Sequence, residues 1–287
     1  MPHKIELFEV GPRDGLQNEP RDIPVAEKIA LVDMLSTSGL RHIECASFVS
    51  PKWVPQMAGS AQVLAGIKRA ANVRYTALTP NLRGFTDAIA AHADEVAVFA
   101  SASEGFSKAN LNASIADSLT RYREIAQAAK AANIPVRGYV SCVVACPFDG
   151  PTDPAQVAYV VGQLLDMGCY AVSLGDTIGA GTPDSIQTML KAVLDVAPAQ
   201  NLAGHYHDTG GRALANIDAS IDLGLRVFDT SVGGLGGCPY APGASGNVAS
   251  ETTARHLAAH GYDTGLDLTV IDAAAQLARA MRGTGDV

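Results

Sequence analysis

Two hydrophobic patterns alternate along nearly the whole chain. Short runs rich in β-branched and aromatic residues predict strands, and longer Ala/Leu-rich segments carry apolar residues at helical spacing. The runs that predict strands are residues 5–10, 42–47, 73–78, 95–100, 136–143, 170–176, 201–207 and 226–232. The clearest helical segments between them are residues 25–39, 114–133 and 154–168. Strands that alternate with helices indicate a parallel sheet covered by helices.

The number of these repeats favours a closed (β/α)8 barrel, since such barrels occupy roughly 250 residues and this chain has 287. No Ser/Gly-rich linker divides the sequence, so we expect one catalytic barrel domain over residues 1–287, with frayed polar residues at its end. An open, doubly wound sheet stays as the alternative, because periodicity does not show whether a sheet closes. In a barrel, the active site would lie at the carboxyl ends of the strands.

Composition narrows the classes of function. With 47% hydrophobic and 17% charged residues, the chain can bury a large core. Its net charge of −8 argues against a nucleic-acid surface, and an anionic substrate would need a metal ion or a well-placed arginine. The five cysteines are an odd number, and neither a signal-peptide pattern nor an apolar run of bilayer length is present. We therefore expect a cytoplasmic protein without a membrane partner.

The sharpest chemical signal lies at the end of the seventh predicted strand, where His205 and His207 flank Tyr206. Residues two apart on a strand point to the same face, so both imidazoles would project toward the mouth of the barrel. Two imidazoles on one face form half of a metal site. A single histidine is more often a core residue, but the pair favours metal binding.

Polar residues also follow the first two predicted strands. Arg13, Asp14 and Gln17 lie on the first turn, where a carboxylate can bind a hard cation and an arginine can stabilise an oxygen that becomes negative. Glu44 interrupts an apolar strand, and a buried carboxylate needs a partner such as Arg13. The alternatives are a surface Arg-Asp turn and an ordinary structural ion pair.

Three further residues fall at the ends of predicted strands. Asp176, after the sixth strand, would orient a metal ligand or simply hold a turn. The eighth strand runs into a glycine-rich loop that contains Cys238, whose thiol would transfer a proton or be inert. Asn247 follows that loop and would supply a metal oxygen or serve as a turn residue. These positions converge on one face of the predicted barrel.

The motifs together resemble the 3-hydroxy-3-methylglutaryl-CoA (HMG-CoA) lyase family over nearly the whole chain. The motifs that carry the resemblance are GPRDGLQNE, ASFVSPKWVPQMA, VSLGDTIGAGTP, HYHDT and SVGGLGGCPYAPGASGN. The glycine-cysteine loop is the most specific of them. The wider superfamily also contains isopropylmalate and homocitrate synthases.

The resemblance implies a role for each candidate residue. A Mg2+ or Mn2+ ion would be bound by Asp14, His205, His207 and Asn247. Arg13 would stabilise the enolate of the departing acetyl-CoA, and Cys238 would join proton transfer. His205, Glu44 and Asp176 would complete the catalytic centre. The residues expected to contact the acyl-CoA are Gln17, Lys52, Asn110, Ser114 and Tyr139.

The implied reaction is a metal-dependent retro-Claisen cleavage of HMG-CoA to acetyl-CoA and acetoacetate, as in leucine degradation and ketone-body metabolism. The resemblance also implies a homodimer or larger homo-oligomer. Gly210 stands where the family usually has an aromatic residue, so a lyase for a longer 3-hydroxy-3-alkylglutaryl-CoA is the main alternative. The others are a Claisen-condensing synthase, which usually has a C-terminal extension, and an inactive acyl-CoA-binding barrel.

Overall fold

A computed structural model of the chain describes residues 3–236 and 246–282. Its eight parallel strands close into a barrel in which each strand pairs with the next, and the last strand pairs with the first. The strands are β1 (Glu6–Glu9), β2 (His42–Ser47), β3 (Arg74–Leu78), β4 (Glu95–Ser101), β5 (Val136–Ser141), β6 (Ala171–Asp176), β7 (Leu202–Tyr206) and β8 (Val227–Thr230). Each predicted strand is present, and the predicted closed barrel is confirmed over the open sheet.

Helices surround the barrel and bury their apolar faces against it. They are α1 (Val25–Leu35), α2 (Ser60–Gly66), α3 (Leu82–Ala90), α4 (Glu104–Leu111), α5 (Ile115–Ala132), α6 (Pro154–Asp166), α7 (Pro183–Leu194), α8 (Ala213–Asp222), α9 (Ser250–Ala259) and α10 (Leu268–Met281). Side-chain oxygens of Asn81, Ser103 and Asp153 accept amide hydrogens at the helix starts, which defines where α3, α4 and α6 begin. Across the described ranges, no helix is both long and apolar enough to cross a membrane.

The middle of the barrel holds an ion pair instead of only branched aliphatic side chains. Arg137 on β5 donates two hydrogen bonds to Asp229 on β8, at 2.6 and 3.1 Å. Its guanidinium also lies 4.0 Å from the ring centre of Phe8 on β1. Both charged residues are fully buried, so each depends on the other for charge compensation. This pair lies against the residues that form the candidate site.

Candidate active site

The loop after β1 brings Arg13 and Asp14 to the mouth of the barrel. Residues Gly11–Gly15 form one wide helical turn, in which the Val10 carbonyl accepts the amides of both Arg13 (3.1 Å) and Asp14 (2.8 Å). A Cβ atom on Gly15 would lie 2.6 Å from the Ser231 hydroxyl oxygen, so glycine permits close contact between this turn and the loop after β8. The turn after β1 therefore packs directly against the loop after β8, at the place where the first and last strands of the barrel pair.

Arg13 is fixed by two carboxylates. Its Nε donates to Glu44 and its Nη1 donates to Asp14 at 2.7 Å. Glu44 is fully buried and also accepts a hydrogen bond from the Tyr139 hydroxyl. Burial opposes the charged form of Arg13, but Glu44 and Asp14 raise its pKa well above the ordinary value. The expected pairing of Glu44 with Arg13 is present, and the guanidinium is permanently charged.

The four predicted metal ligands come together beside Arg13. Ligand atoms of Asp14, His205 and His207 lie within 4.8 Å of one another. The backbone of His207 pairs with that of Asn247, and the Asn247 amide donates to Asp14 at 2.8 Å. The strand end, the first loop and the segment that precedes α9 thus meet at one point.

The donor atoms of this cluster fit a divalent cation. Within the part of the chain that the structure describes, buried Nδ1 of His207 and Oδ1 of Asn247 have no hydrogen-bond partner. An unsatisfied buried polar atom costs about 1–3 kcal/mol, which a bound cation would remove. Burial and the neighbouring His205 lower the pKa of His207 to about 4, so its imidazole is neutral. Although burial opposes ionisation, Arg13 and the histidines lower the pKa of Asp14 to about 2.

Asp229 is a functional candidate that the sequence analysis missed. Its carboxylate accepts from His205 Nδ1 at 3.1 Å, from the Ser173 hydroxyl at 2.6 Å and from Arg137. Burial opposes protonation of His205, but this hydrogen bond and the charge of Asp229 raise the pKa of the imidazole. Since a carboxylate only accepts, Nδ1 of His205 carries a proton and a neutral imidazole keeps its lone pair on Nε2. In the sequence, Asp229 could have been found as an aspartate within an otherwise apolar predicted strand.

Asp176 has different partners from those expected of a residue that orients a metal ligand. Its buried carboxylate accepts the backbone amides of Ala180 (3.1 Å) and Gly181 (2.8 Å), and burial raises its pKa. These bonds hold the loop after β6, which is the turn role left open by the sequence. The carboxylate that contacts His205 is that of Asp229, which lies opposite His205 on the neighbouring strand β8.

An open cavity of about 810 Å³ lies over the cluster. It is lined by Arg13, Asp14, His205 and His207, and three of the expected acyl-CoA contacts also line it: Gln17, Asn110 and Tyr139. The sequence analysis missed two basic residues in its wall, Lys108 and Arg121.

Two expected acyl-CoA contacts lie elsewhere. Lys52 is exposed and is not part of the cavity lining, and Ser114 caps α5 by accepting the amide of Asp117 at 3.1 Å. The resemblance implied a substrate contact for both, whereas residues near them in the sequence line the cavity. Gly210, where the family usually has an aromatic residue, is likewise not among the lining residues. It is exposed, and a Cβ atom there would lie 2.7 Å from the Arg212 guanidinium.

Cys238 lies outside the described residues, so its role stays a prediction. The residues that flank its segment do lie at the site. The positions of Gly236 and Gly246 are in direct contact, and a Cβ atom on Gly236 would lie 2.8 Å from the Asn247 amide nitrogen. Asn247 in turn contacts Asp14. In the sequence, Cys238 follows Gly236, which lies beside Asn247, by two residues.

Comparison with known proteins gives one consistent family. The HMGL-like family model matches residues 4–278. The chain is 56% identical over 283 residues to a Pseudomonas aeruginosa protein named 3-hydroxy-3-isohexenylglutaryl-CoA/hydroxymethylglutaryl-CoA lyase, covering 99% of this chain and 94% of that protein. It is 54% identical over 281 residues to the mitochondrial hydroxymethylglutaryl-CoA lyase of Bos taurus, covering 98% and 86%.

Solved structures agree with the sequence comparison. The HMG-CoA lyase of Brucella melitensis superimposes with a TM-score of 0.97 at 58% identity, covering 98% of this chain and 99% of that one. An HMG-CoA lyase from Acinetobacter baumannii, solved with coenzyme A and 3-methylmalate, gives a TM-score of 0.93 at 36% identity, covering 98% and 92%. The resemblance predicted from the motifs is confirmed, and the chain belongs to the HMGL-like family.

Proposed function

We propose that this protein is a carbon–carbon lyase that cleaves HMG-CoA to acetyl-CoA and acetoacetate with the help of a divalent cation. The observation that carries the proposal is the convergence of Asp14, His205, His207 and Asn247 beside the charged Arg13, at the base of an open cavity. Relatives between 51% and 56% identical over nearly the whole chain carry this activity in their names.

The four ligands supply two imidazole nitrogens, a carboxylate and an amide oxygen. A bound Mg2+ or Mn2+ ion would coordinate the tertiary hydroxyl and a carboxylate of the substrate and lower the hydroxyl pKa. Asp229 contributes by keeping the proton of His205 on Nδ1, so that Nε2 stays available as a donor. The protein thus fixes the protonation of His205 before the substrate binds.

Arg13 is proposed to stabilise the charge that forms as the carbon–carbon bond breaks. Negative charge then moves onto the thioester oxygen of the departing acetyl-CoA enolate. A guanidinium has five N–H donors, and Glu44 and Asp14 engage two of them, so others are available to that oxygen. Because both carboxylates hold Arg13 in place, little reorganisation is needed at the moment of reaction. Cys238 is proposed to return a proton to the enolate carbon.

The outer cavity suits the coenzyme A portion. Lys108 and Arg121 place positive charge in the wall of an otherwise acidic protein, and coenzyme A carries several phosphate charges. Trp53 is 80% exposed at the same cavity and offers an aromatic face to a planar base. The related Acinetobacter structure contains coenzyme A, which supports this assignment.

A lyase for a longer 3-hydroxy-3-alkylglutaryl-CoA is the second candidate. It is favoured by the Pseudomonas relative, whose name includes the isohexenyl substrate. Leu78 and Phe99 give the cavity apolar wall surface that an alkyl chain could contact. We further propose a cytoplasmic, homo-oligomeric, single-domain enzyme of leucine degradation. The four described cysteines are buried and form no disulfide with one another, which fits a reducing compartment.

The deciding experiment removes and restores the cation. Protein stripped with a chelator should form no acetoacetate from HMG-CoA, and Mg2+ or Mn2+ should restore product formation. The reason is that the proposed reaction needs the cation to bind the substrate and lower the pKa of its hydroxyl group. Coupled assay of acetoacetate measures the result, with the isohexenyl substrate run in parallel. Absence of metal-dependent product from both substrates would contradict the lyase proposal, and a higher kcat/KM for the isohexenyl substrate would favour the second candidate.

A further inference from the structure

A second cluster of one aspartate and two histidines lies on the outside of the barrel, between α8 and α9. Asp218 belongs to α8, and His256 and His260 are four residues apart at the end of α9, so they share one helix face. Nε2 of His256 lies 2.8 and 3.0 Å from the two carboxylate oxygens of Asp218. The two imidazole centres are 4.3 Å apart, and one ligand atom from each residue lies within 4.8 Å of the others.

The hydrogen bonds of this cluster prepare His260 for a cation. Nδ1 of His260 lies 2.8 Å from the backbone carbonyl oxygen of His256. A carbonyl oxygen only accepts, so Nδ1 carries the proton and Nε2 of a neutral imidazole keeps its lone pair. A hydrogen bond from the second ring nitrogen to a carbonyl is the arrangement that usually orients metal-binding histidines. His260 is exposed, so solvent can reach its ring.

We propose that Asp218, His256 and His260 form a second metal site, which binds a divalent transition-metal ion such as Zn2+ together with solvent. Two imidazoles and one carboxylate, with water in the remaining position, form a ligand set that suits Zn2+, Ni2+ and Cu2+. Mg2+ and Ca2+ prefer oxygen ligands throughout and would bind here weakly. When the ion binds, the proton on Nε2 of His256 moves to Nδ1 or to solvent, and the Asp218 carboxylate exchanges that hydrogen bond for the metal.

The proposed site is separate from the catalytic cluster but connected to it through α8 and α9. Among the residues that line the cavity, none belongs to this cluster. Helix α8 follows the strand that carries His205, and α9 begins three residues after Asn247. The first turn of α9 is anchored to the barrel, since the Ser250 hydroxyl donates to Glu9 at 2.6 Å. A cation between the two helices would brace the segment that positions Asn247.

The test is a Zn2+ titration of chelator-stripped protein by calorimetry, with His260→Gln and His207→Ala variants alone and combined. We expect two Zn2+ ions per chain for the native protein, one for each single variant and none for the double variant. His3→Gln, a change of another exposed histidine, is the matched control and should keep two sites. An unchanged stoichiometry in His260→Gln would overturn the proposal.

A second measurement does not depend on the fold of the His207→Ala variant. In saturating Mg2+, which competes for the catalytic cluster, added Zn2+ should raise the melting temperature of the native protein more than that of His260→Gln, because only the native protein keeps the outer cluster. His260→Gln should retain the native rate with Mg2+. An equal rise in melting temperature for both proteins would assign the binding to another site, and anomalous scattering from Zn2+-soaked crystals would locate it.

Discussion

The described residues contain two clusters of one aspartate and two histidines, one at the mouth of the barrel and one on its outer surface. In the inner cluster, the histidines are two residues apart at the end of β7; in the outer cluster, they are four apart on α9. Each spacing places both rings on one face of its own element. The ligand types are therefore the same, and the surroundings distinguish the two clusters.

The inner cluster has three features that the outer one does not share. Arg13 contacts Asp14 directly, and a cavity of about 810 Å³ opens over the cluster. Asp229 accepts a hydrogen bond from His205 and forms a buried ion pair with Arg137. Burial also changes its acid–base chemistry, as the pKa of about 4 for His207 illustrates. A ligand set alone binds a metal; catalysis further requires a neighbouring charge and space for substrate.

The largest effect should come from removing that neighbouring charge. Arg13→Met should lower kcat about 10²- to 10³-fold, the size reported for loss of one preorganised donor to a developing oxyanion. Metal stoichiometry and the far-ultraviolet circular dichroism should stay close to native, since none of the proposed ligands is altered. Arg21→Met, at a partly exposed arginine that pairs with Glu27, is the matched control. Near-native kcat in Arg13→Met would remove Arg13 from its proposed role.

The burial of Glu9, on β1 just before the turn that carries Asp14, should also affect the stability of the protein. Burial raises the pKa of Glu9 from 4.5 to about 7, although it accepts the amides of Gly11 (2.8 Å) and Val232 (2.9 Å) and the Ser250 hydroxyl. The folded state thus holds this proton to higher pH than the unfolded chain. The associated stability is fully present below about pH 4.5 and is lost as the pH rises through 7.

Glu9→Gln tests this effect, because its amide can accept both backbone hydrogens and donate to Ser250. We expect the free energy of unfolding of the native protein to fall by about 3 kcal/mol relative to the variant between pH 4.5 and 7, at about 1.4 kcal/mol per pKa unit. Urea unfolding at several pH values measures the difference. Parallel pH profiles for the two proteins would show that Glu9 ionises normally.

The support of His205 should have the next largest effect. Asp229→Asn should weaken metal binding about 10- to 100-fold, the range typical of carboxylates that hold a metal-binding histidine. Asp176→Asn is the informative comparison, since the described bonds of Asp176 go to backbone amides. Calorimetric titration with Mn2+ measures both. If Asp176→Asn weakens binding more than Asp229→Asn, the original assignment of Asp176 as the orienting carboxylate holds.

The two clusters also show how far sequence reasoning reaches. About eight β-rich runs alternating with helical segments, in a chain of 287 residues, were enough to predict the barrel. Polar residues at strand ends predicted Arg13, Asp14, Glu44 and the β7 histidines. Asp229 was missed because it lies inside a strand, where its partners Arg137 and Ser173 come from other strands. The outer cluster was missed because Asp218 lies 38 residues from His256 and only packing joins them.

Substrate contacts were the least predictable part, and they should show the smallest effects. Lys52 was expected to contact the acyl-CoA, but Lys108 lines the cavity and Lys52 does not. Both ammonium groups are exposed to solvent, so each ionic contact contributes at most about 1 kcal/mol. Lys108→Ala should therefore raise KM for HMG-CoA several-fold at unchanged kcat, with a difference that shrinks as salt screens the charge. Lys52→Ala should leave KM unchanged. Steady-state kinetics at two ionic strengths distinguishes them, and a larger KM change in Lys52→Ala would return the phosphate contact to the residue that the sequence first suggested.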